Sequence, residues 1–288
     1  QGSAADLKRE RTKGGQTSFT TRHQNYYGEV FGKLIMTSEL HKRIIKAFTA
    51  TNRKNGKYDS YFKAYAQILE PFLTQKERSN SPIKLLEIGV QDGGSLEAWK
   101  SILGSKSQIY GLDLNPECAK LSSNDYTVFT GDQSDPNVWN KMINEIGKLD
   151  IIIDDGSHIG FSQSKTIDYS LKGAIGQEGV VIIEDTHTAY MDKFLGDGVG
   201  INFMDKVMDL AGRITSRSAR LQNDPSSKLS YIKDDDIART SIESISIFES
   251  IVAIYILRGL SNSRSSGSPG TMKNWISEDV RSESNLHL

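Results

Sequence analysis

The chain lacks most of what would mark it for the cell surface, a membrane or a nucleic acid. It holds one cysteine, Cys118, in 288 residues, so no internal disulfide forms, and the neighbouring Asn115-Pro116-Glu117 gives no metal-ligand spacing. A reducing, cytoplasmic setting is expected. The formal net charge of −1 supplies no overall field for nucleic acid or a membrane surface, and the short basic run Lys8–Lys13 reads as a solvated tail. No apolar run approaches the ~20 residues of a membrane span, and no secretory leader is read. There is no internal repeat. The dinucleotide fingerprint G-x-G-x-x-G is also missing: after the first apolar strand the glycines fall as G-x-x-x-G-G, at Gly89, Gly93 and Gly94.

What is present is an α/β pattern. Hydrophobic residues make up 37% of the chain, enough for one large domain with attachments or two small ones. Leu149–His158 reads LDIIIDDGSH. Three consecutive Ile residues describe a strand buried on both faces, the habit of parallel sheets covered by helices. Asp154, Asp155 and His158 then stand at the strand's carboxyl end, the edge where open α/β sheets bind ligands. Gly179–Tyr190, GVVIIEDTHTAY, repeats the pattern and ends in Glu184, Asp185 and His187. The interval between them suits a loop, a helix over roughly Phe161–Ile175 and a glycine-rich turn, Gly173–Gly179. The two strands are therefore expected as neighbours about 4.8 Å apart, with Asp155, Glu184 and Asp185 converging.

Taken in order, residues 4–24 read as an irregular arm. Tyr26 to about Thr49 and Tyr61–Leu73 carry apolar residues at helical spacing and form a helical preface ending at Pro71 or soon after. Strands are expected at Ile83–Val90, Ser107–Leu114 and Tyr126–Gly131, with helices over Leu96–Leu103 and Pro136–Ile146. The expected fold is a doubly wound, mostly parallel sheet. A helix from about Asn202 to Ile214 and an antiparallel hairpin over Ile242–Ile256, turning at Glu249-Ser250, close the sheet. This gives an arm and helical extension (1–80), a core (81–260) and a C-terminal tail (261–288).

The glycine loop lets the backbone close against a ligand, and the helix behind it presents free N–H groups. Asp113 ends the next strand, where an acid accepts ribose hydroxyls. Glu87 lies inside an apolar strand and needs a hydrogen-bonding or cationic partner. Together these fit S-adenosylmethionine, which carries positive charge where a nicotinamide dinucleotide carries phosphates.

At these residues the chain resembles the class I S-adenosylmethionine-dependent methyltransferases, and within them the macrocin and mycinamicin sugar O-methyltransferase group with its cephalosporin-hydroxylase-like relatives. The matching stretches are Leu85–Trp99, Ile109–Pro116, Gly131–Asp135, IIIDDGSH and VIIEDTHTAY. The arm, with Lys13-Gly14, His23 and Tyr26-Tyr27, is similar to that group's N-terminal segment, although Thr12 stands where an Asp is usual. The resemblance implies that Gly89, Gly93 and Ser95 hold the methionine part of the cofactor, Asp113 the ribose, and Asp132 with Gln133 the adenine side. It further implies that Asp155, Glu184 and Asp185 bind a divalent metal and that His158 is the general base.

An all-oxygen ligand set favours a hard ion such as Mg²⁺. Glu184 and Asp185 can both be ligands only if the chain leaves its strand there, and Asp154 is assigned to the cofactor side. His187 is the competing base, and Tyr190 with the Gly196–Gly200 loop is a candidate cover. The expected activity is metal-dependent O-methylation of a sugar or polyketide-type small molecule, with no nucleic-acid or membrane partner; the apolar preface helices offer an interface for a homo-oligomer. Two alternatives stand beside it: a nucleotide-cofactor oxidoreductase or hydroxylase-like relative on the same fold, and a non-catalytic accessory protein.

Overall fold

The computed structural model describes residues 38–79, 81–195, 202–217 and 236–260. The arm, the Gly196–Gly200 loop and the tail lie outside the described residues. Seven strands form one sheet in the order β3-β2-β1-β4-β5-β7-β6. They are β1 Lys84–Ile88, β2 Gln108–Asp113, β3 Tyr126–Thr130, β4 Leu149–Asp154, β5 Ile175–Glu184, β6 Ile242–Phe248 and β7 Ile251–Leu257. Pairing is parallel from β3 through β5 and antiparallel at β7 and β6, the mixed doubly wound sheet expected from the sequence.

Both faces of the central strands are apolar, so each face carries its own core. Leu85, Ile151, Ile153, Val180 and Ile182 pack with α1 (Glu39–Thr49), α2 (Asp59–Ser79) and α3 (Gly94–Leu103). Their alternates Leu86, Ile152, Val181 and Ile183 pack with α4 (Pro136–Ile146), α5 (Gly160–Tyr169) and α6 (Phe203–Thr215). Side-chain caps start the helices where the sequence supplies them. Ser38 accepts from the His41 amide, Asp135 from Asn137 ahead of Pro136, and Asn202 from Met204, each satisfying a donor that no helical carbonyl reaches. Trp99 on α3 is fully buried between Phe48 and Tyr65 at ring distances of 5.2 and 5.0 Å. The preface helices thus share one core with the sheet.

Two boundaries differ from the sequence expectation. The preface helix does not end near Pro71: α2 runs through it to Ser79. Pro71 costs one helical hydrogen bond, but it sits on the exposed side while Phe72 and Leu73 beyond it are buried. The stretch Gly173–Gly179 is mostly strand, because β5 begins at Ile175 and a register shift opposite Leu149–Ile151 absorbs the extra residues. The preceding helix is correspondingly shorter, closing through a π turn at Ser170–Ala174. Among the described residues no helix is long and apolar enough to cross a membrane.

Candidate functional site

Strand parity sorts the acids before any contact is measured. Glu87 follows Leu85, Asp155 follows Ile153 and Glu184 follows Ile182 at steps of two, so all three share the α1–α3 face. The register places Glu87 level with Ile153, and Ile153 level with Ile182. Asp154 has the opposite parity and faces α5. Its buried carboxylate accepts from Gln133 Nε2 at 2.9 and 3.0 Å, and burial pushes it above the usual carboxylate range against the hydrogen bonds from Thr166 and Gln133. Gln133 Oε1 in turn accepts from the Ser157 amide at 3.0 Å. Asp154 and Gln133, two of the residues expected on the cofactor side, thus bond to each other and join the loops after β3 and β4, with Gln133 also lining the cleft described below.

The three acids of the other face close around a group that sequence reasoning missed. The side chain of Lys57, from the segment ahead of α2, is 2% exposed. Its Nζ lies 2.7 Å from Asp155 Oδ2, 2.8 Å from Glu184 Oε2 and 3.3 Å from Glu87 Oε1. Burial pulls the ammonium down, but Glu184, with Glu87 and Asp155, overcomes it and holds Lys57 well above its ordinary value. Glu184 is fully buried and, despite Lys57, burial and the neighbouring Asp155 push it up to about 8. Tyr65 donates to Glu184 Oε1. Glu87 is raised by burial against the pull of Lys57, with Asp155 adding to the rise and Ser95 opposing it.

One residue beyond Glu184 the chain leaves the sheet. Asp185 has φ 53 and His158 has φ 59, left-handed conformations that cost non-glycine residues roughly 1–3 kcal/mol each and gather at functional sites. The Thr188 hydroxyl lies 2.9 and 2.8 Å from the carbonyl oxygens of His158 and Asp185 and ties the two turns together. Tyr61 donates to Asp185 Oδ1. Asp185 Oδ2 lies 3.5 Å from His158 Nδ1, a buried nitrogen without a hydrogen-bond partner. The structure thus divides the expected ligand set. Among the described residues, Asp155, His158 and Asp185 form one group whose ligand atoms fall within 4.8 Å of one another, and Glu87, Asp155 and Glu184 form a second. His187 stands at the rim, 3.9 Å from Asp185 Oδ1, and Tyr190 is 76% exposed.

Beside these groups an open cleft of about 270 Å³ is lined by Gly89, Gln91, Asp113, Asp132, Asp155 and Ser157, among others. Asp113 Oδ2 accepts from the amides of Val90 and Gln91 at 2.8 and 3.1 Å, which fixes the glycine loop to the end of β2. Gly93 caps α3 at φ 82 and Ser95 is buried in its first turn. Gly89 adopts φ +89, and a Cβ there would stand 2.0 Å from the Asp155 carbonyl oxygen. The loop of the cleft and the loop of the acids are pressed together at that point.

Lys57, Tyr61 and Tyr65 gave little signal in the sequence. The tyrosines sit four apart within an apolar helical stripe and read as core; only the need of a buried phenol for a partner pointed elsewhere. A lysine ahead of a helix has no period at all.

No family model matches the chain. It is 35% identical over 129 residues to a demethylmacrocin O-methyltransferase of Streptomyces fradiae, covering 42% of this chain and 32% of that protein. Over 189 residues it is 29% identical to a mycinamicin VI 2''-O-methyltransferase of Micromonospora griseorubida, covering 61% of this chain and 42% of the relative. The chain thus spans a third to two fifths of the length of these curated relatives. The fold matches the MycE methyltransferase of the mycinamycin biosynthetic pathway, solved in complex with Mg and SAH, at a TM-score of 0.60 and 23% identity over 92% of this chain and 64% of that one. The curated relatives are of the group that the sequence motifs resemble, and the MycE structure shares the fold.

Proposed function

We propose that the chain is a metal-dependent, S-adenosylmethionine-dependent O-methyltransferase acting on a hydroxyl of a sugar or glycosylated natural product. The observation that carries this is an imbalance of charge. Among the described residues, Glu87, Asp155, Glu184 and Asp185 form one connected cluster with a single ammonium, Lys57. Crowded buried carboxyls are pushed toward their protonated forms, and a bound cation relieves the same repulsion by taking the place of those protons. The missing positive charge is what a divalent cation and a sulfonium cofactor with net charge of one bring. The curated relatives are named for O-methyl transfer to demethylmacrocin, mycinamicin VI and a rhamnosyl tetracenomycin C.

The residues fit such groups. The carboxylates of Asp155 and Asp185 offer the oxygen ligands that Mg²⁺ takes, with ligand atoms within 4.8 Å of one another, and the unpartnered His158 Nδ1 faces Asp185. Asp155 and Asp185 would hold the ion on the more open side, with Glu184 behind them. The cleft beside Gly89 and Asp113 would hold the nucleoside, Asp113 and Asp132 offering acceptors to its hydroxyls and adenine edge, while Gly93 and Ser95 border the methionine end near Glu87. When bound, the cofactor supplies a methyl activated on sulfur and the metal eases ionisation of the acceptor hydroxyl.

His158 would take the acceptor hydroxyl's proton at Nε2, freeing the oxygen's electron pair for the methyl group that the cofactor would supply. Asp185, 3.5 Å from Nδ1, stabilises the imidazolium so formed. The strained turns at His158 and Asp185, tied by Thr188, hold base and counter-charge in place before substrate arrives. Activity should vanish with EDTA and return with Mg²⁺, and S-adenosylhomocysteine should bind where NADH does not. His158→Ala should slow transfer by about 10²-fold or more, the scale of a lost general base, with S-adenosylhomocysteine affinity unchanged. Turnover indifferent to both EDTA and His158→Ala overturns this chemistry.

A further inference from the structure

Lys57 does more than accompany the acids. Its ammonium sits inside the space enclosed by Glu87, Asp155 and Glu184, at ion-pair distance from all three. Those acids bring their ligand oxygens to within 4.8 Å of one another. Glu87 and Glu184 are wholly buried, and Glu184 is further claimed by Tyr65. Asp155 alone belongs to both groups: its Oδ2 goes to Lys57, and it also reaches the outer group with His158 and Asp185.

We infer that Lys57 is the resident cation of the inner cage, and that it confines a divalent metal to the outer face formed by Asp155 and Asp185, beside His158. Glu184, which the sequence pattern groups with the metal ligands, is then a partner of lysine and not of the metal. Electrostatics supports the division. An ammonium at 2.7–3.3 Å and a divalent ion cannot share one cage, since each repels the other at contact distance. The segment bearing Lys57 is also held independently of the acids. Asn55 Nδ2 donates to Phe48 O at 2.9 Å, the Asn52 amide to Glu97 at 2.9 Å, and Arg53 pairs with Glu97 at 3.2 Å.

This inference rests on the metal dependence proposed above, and the test separates the two. Mn²⁺ binding to the full chain is measured by electron paramagnetic resonance and calorimetry in the wild type, Asp185→Asn, Glu184→Gln, Lys57→Met and Lys57→Met/Glu184→Gln, with melting curves as a check on folding. The wild type should bind Mn²⁺, Asp185→Asn should weaken it at least tenfold, and Glu184→Gln should change it less than threefold. Lys57→Met should bind at least tenfold more tightly, and the second substitution should erase the gain, a coupling that only a vacated cage produces. If Glu184→Gln costs the wild type as much as Asp185→Asn, Glu184 is a metal ligand and the inference falls. Should Lys57→Met not fold, that wild-type comparison decides alone. If the wild type binds no Mn²⁺ while Lys57→Met binds it through Glu184, the resident cation stands and the metal dependence proposed above fails; if neither binds, both fail.

Discussion

Replacing Gly89 with alanine probes the point where the two site loops touch. Two costs add. The backbone at φ +89 disfavours an L side chain by roughly 1–3 kcal/mol. The new Cβ would also lie 2.0 Å from the Asp155 carbonyl oxygen and 2.7 Å from its carbon, both backbone atoms without a rotamer to yield. Reaching ordinary contact moves the strand ends apart by more than 1 Å. That breaks or stretches the bonds from Gly89 N to Leu112 O and from Asp155 N to Ile88 O, each 2.9 Å long, at about 1 kcal/mol apiece. The total is about 3–5 kcal/mol, a loss of roughly 6–20 °C in melting temperature for a domain of this size. Gly104→Ala is the control: its φ is +84, yet nothing lies within 4 Å of a Cβ there, so only the conformational cost of roughly 1–3 kcal/mol applies. Both variants are unfolded by heat and urea, and S-adenosylhomocysteine binding is titrated. Gly89→Ala melting within 1 kcal/mol of Gly104→Ala, with cofactor affinity intact, would refute the close approach of the two loops.

Three further outcomes are expected. Glu184, held near pH 8 when folded and near 4.5 when unfolded, keeps a proton in the native state that the unfolded chain releases. Stability of the metal-free chain therefore falls as pH rises from about 4.5 to 8, by up to about 1.4 kcal/mol per pH unit; Glu184→Gln should flatten that slope in urea titrations, and an unchanged slope assigns the proton elsewhere. Tyr65→Phe removes a buried donor to Glu184 and should cost about 1–3 kcal/mol by thermal melting, where a loss under 0.5 kcal/mol shows the bond to be dispensable. Burial, with Asp113 nearby, pushes the Cys118 thiol up to about 11. A disulfide reagent at pH 8 should react on the order of 10²-fold more slowly than with free cysteine, and a fast reaction contradicts the buried setting.

The sheet was legible because its strands are apolar on both faces and punctuated by glycines, acids and prolines. Pro136 opens α4 and Glu249-Ser250 turns the hairpin, with Ser250 at φ 62. Length alone made β4 and β5 neighbours. The acids at the carboxyl edge were legible for the same reason, and parity along β1, β4 and β5 also contained the split between Asp154 and Asp155. What stayed hidden depends on contacts distant in sequence. Lys57 meets Glu184 across 127 positions, and Tyr61 meets Asp185 across 124. Nothing local distinguishes those residues from a solvated lysine or a core aromatic. Pro71 misled because a helix break is a local rule, and the burial of Phe72 and Leu73 that outweighs it is not.

The ammonium at the centre of the acid edge comes from ahead of the first strand, and this makes the sheet dependent on its own preamble. A fragment beginning at Pro82 would keep all seven strands and the strand-end motifs, yet leave Glu87, Asp155 and Glu184 facing one another without the counter-ion Lys57. Swapping this preface among relatives would therefore exchange the electrostatic ground on which the chemistry stands, so the natural unit of transplantation runs from before Lys57 to the last strand.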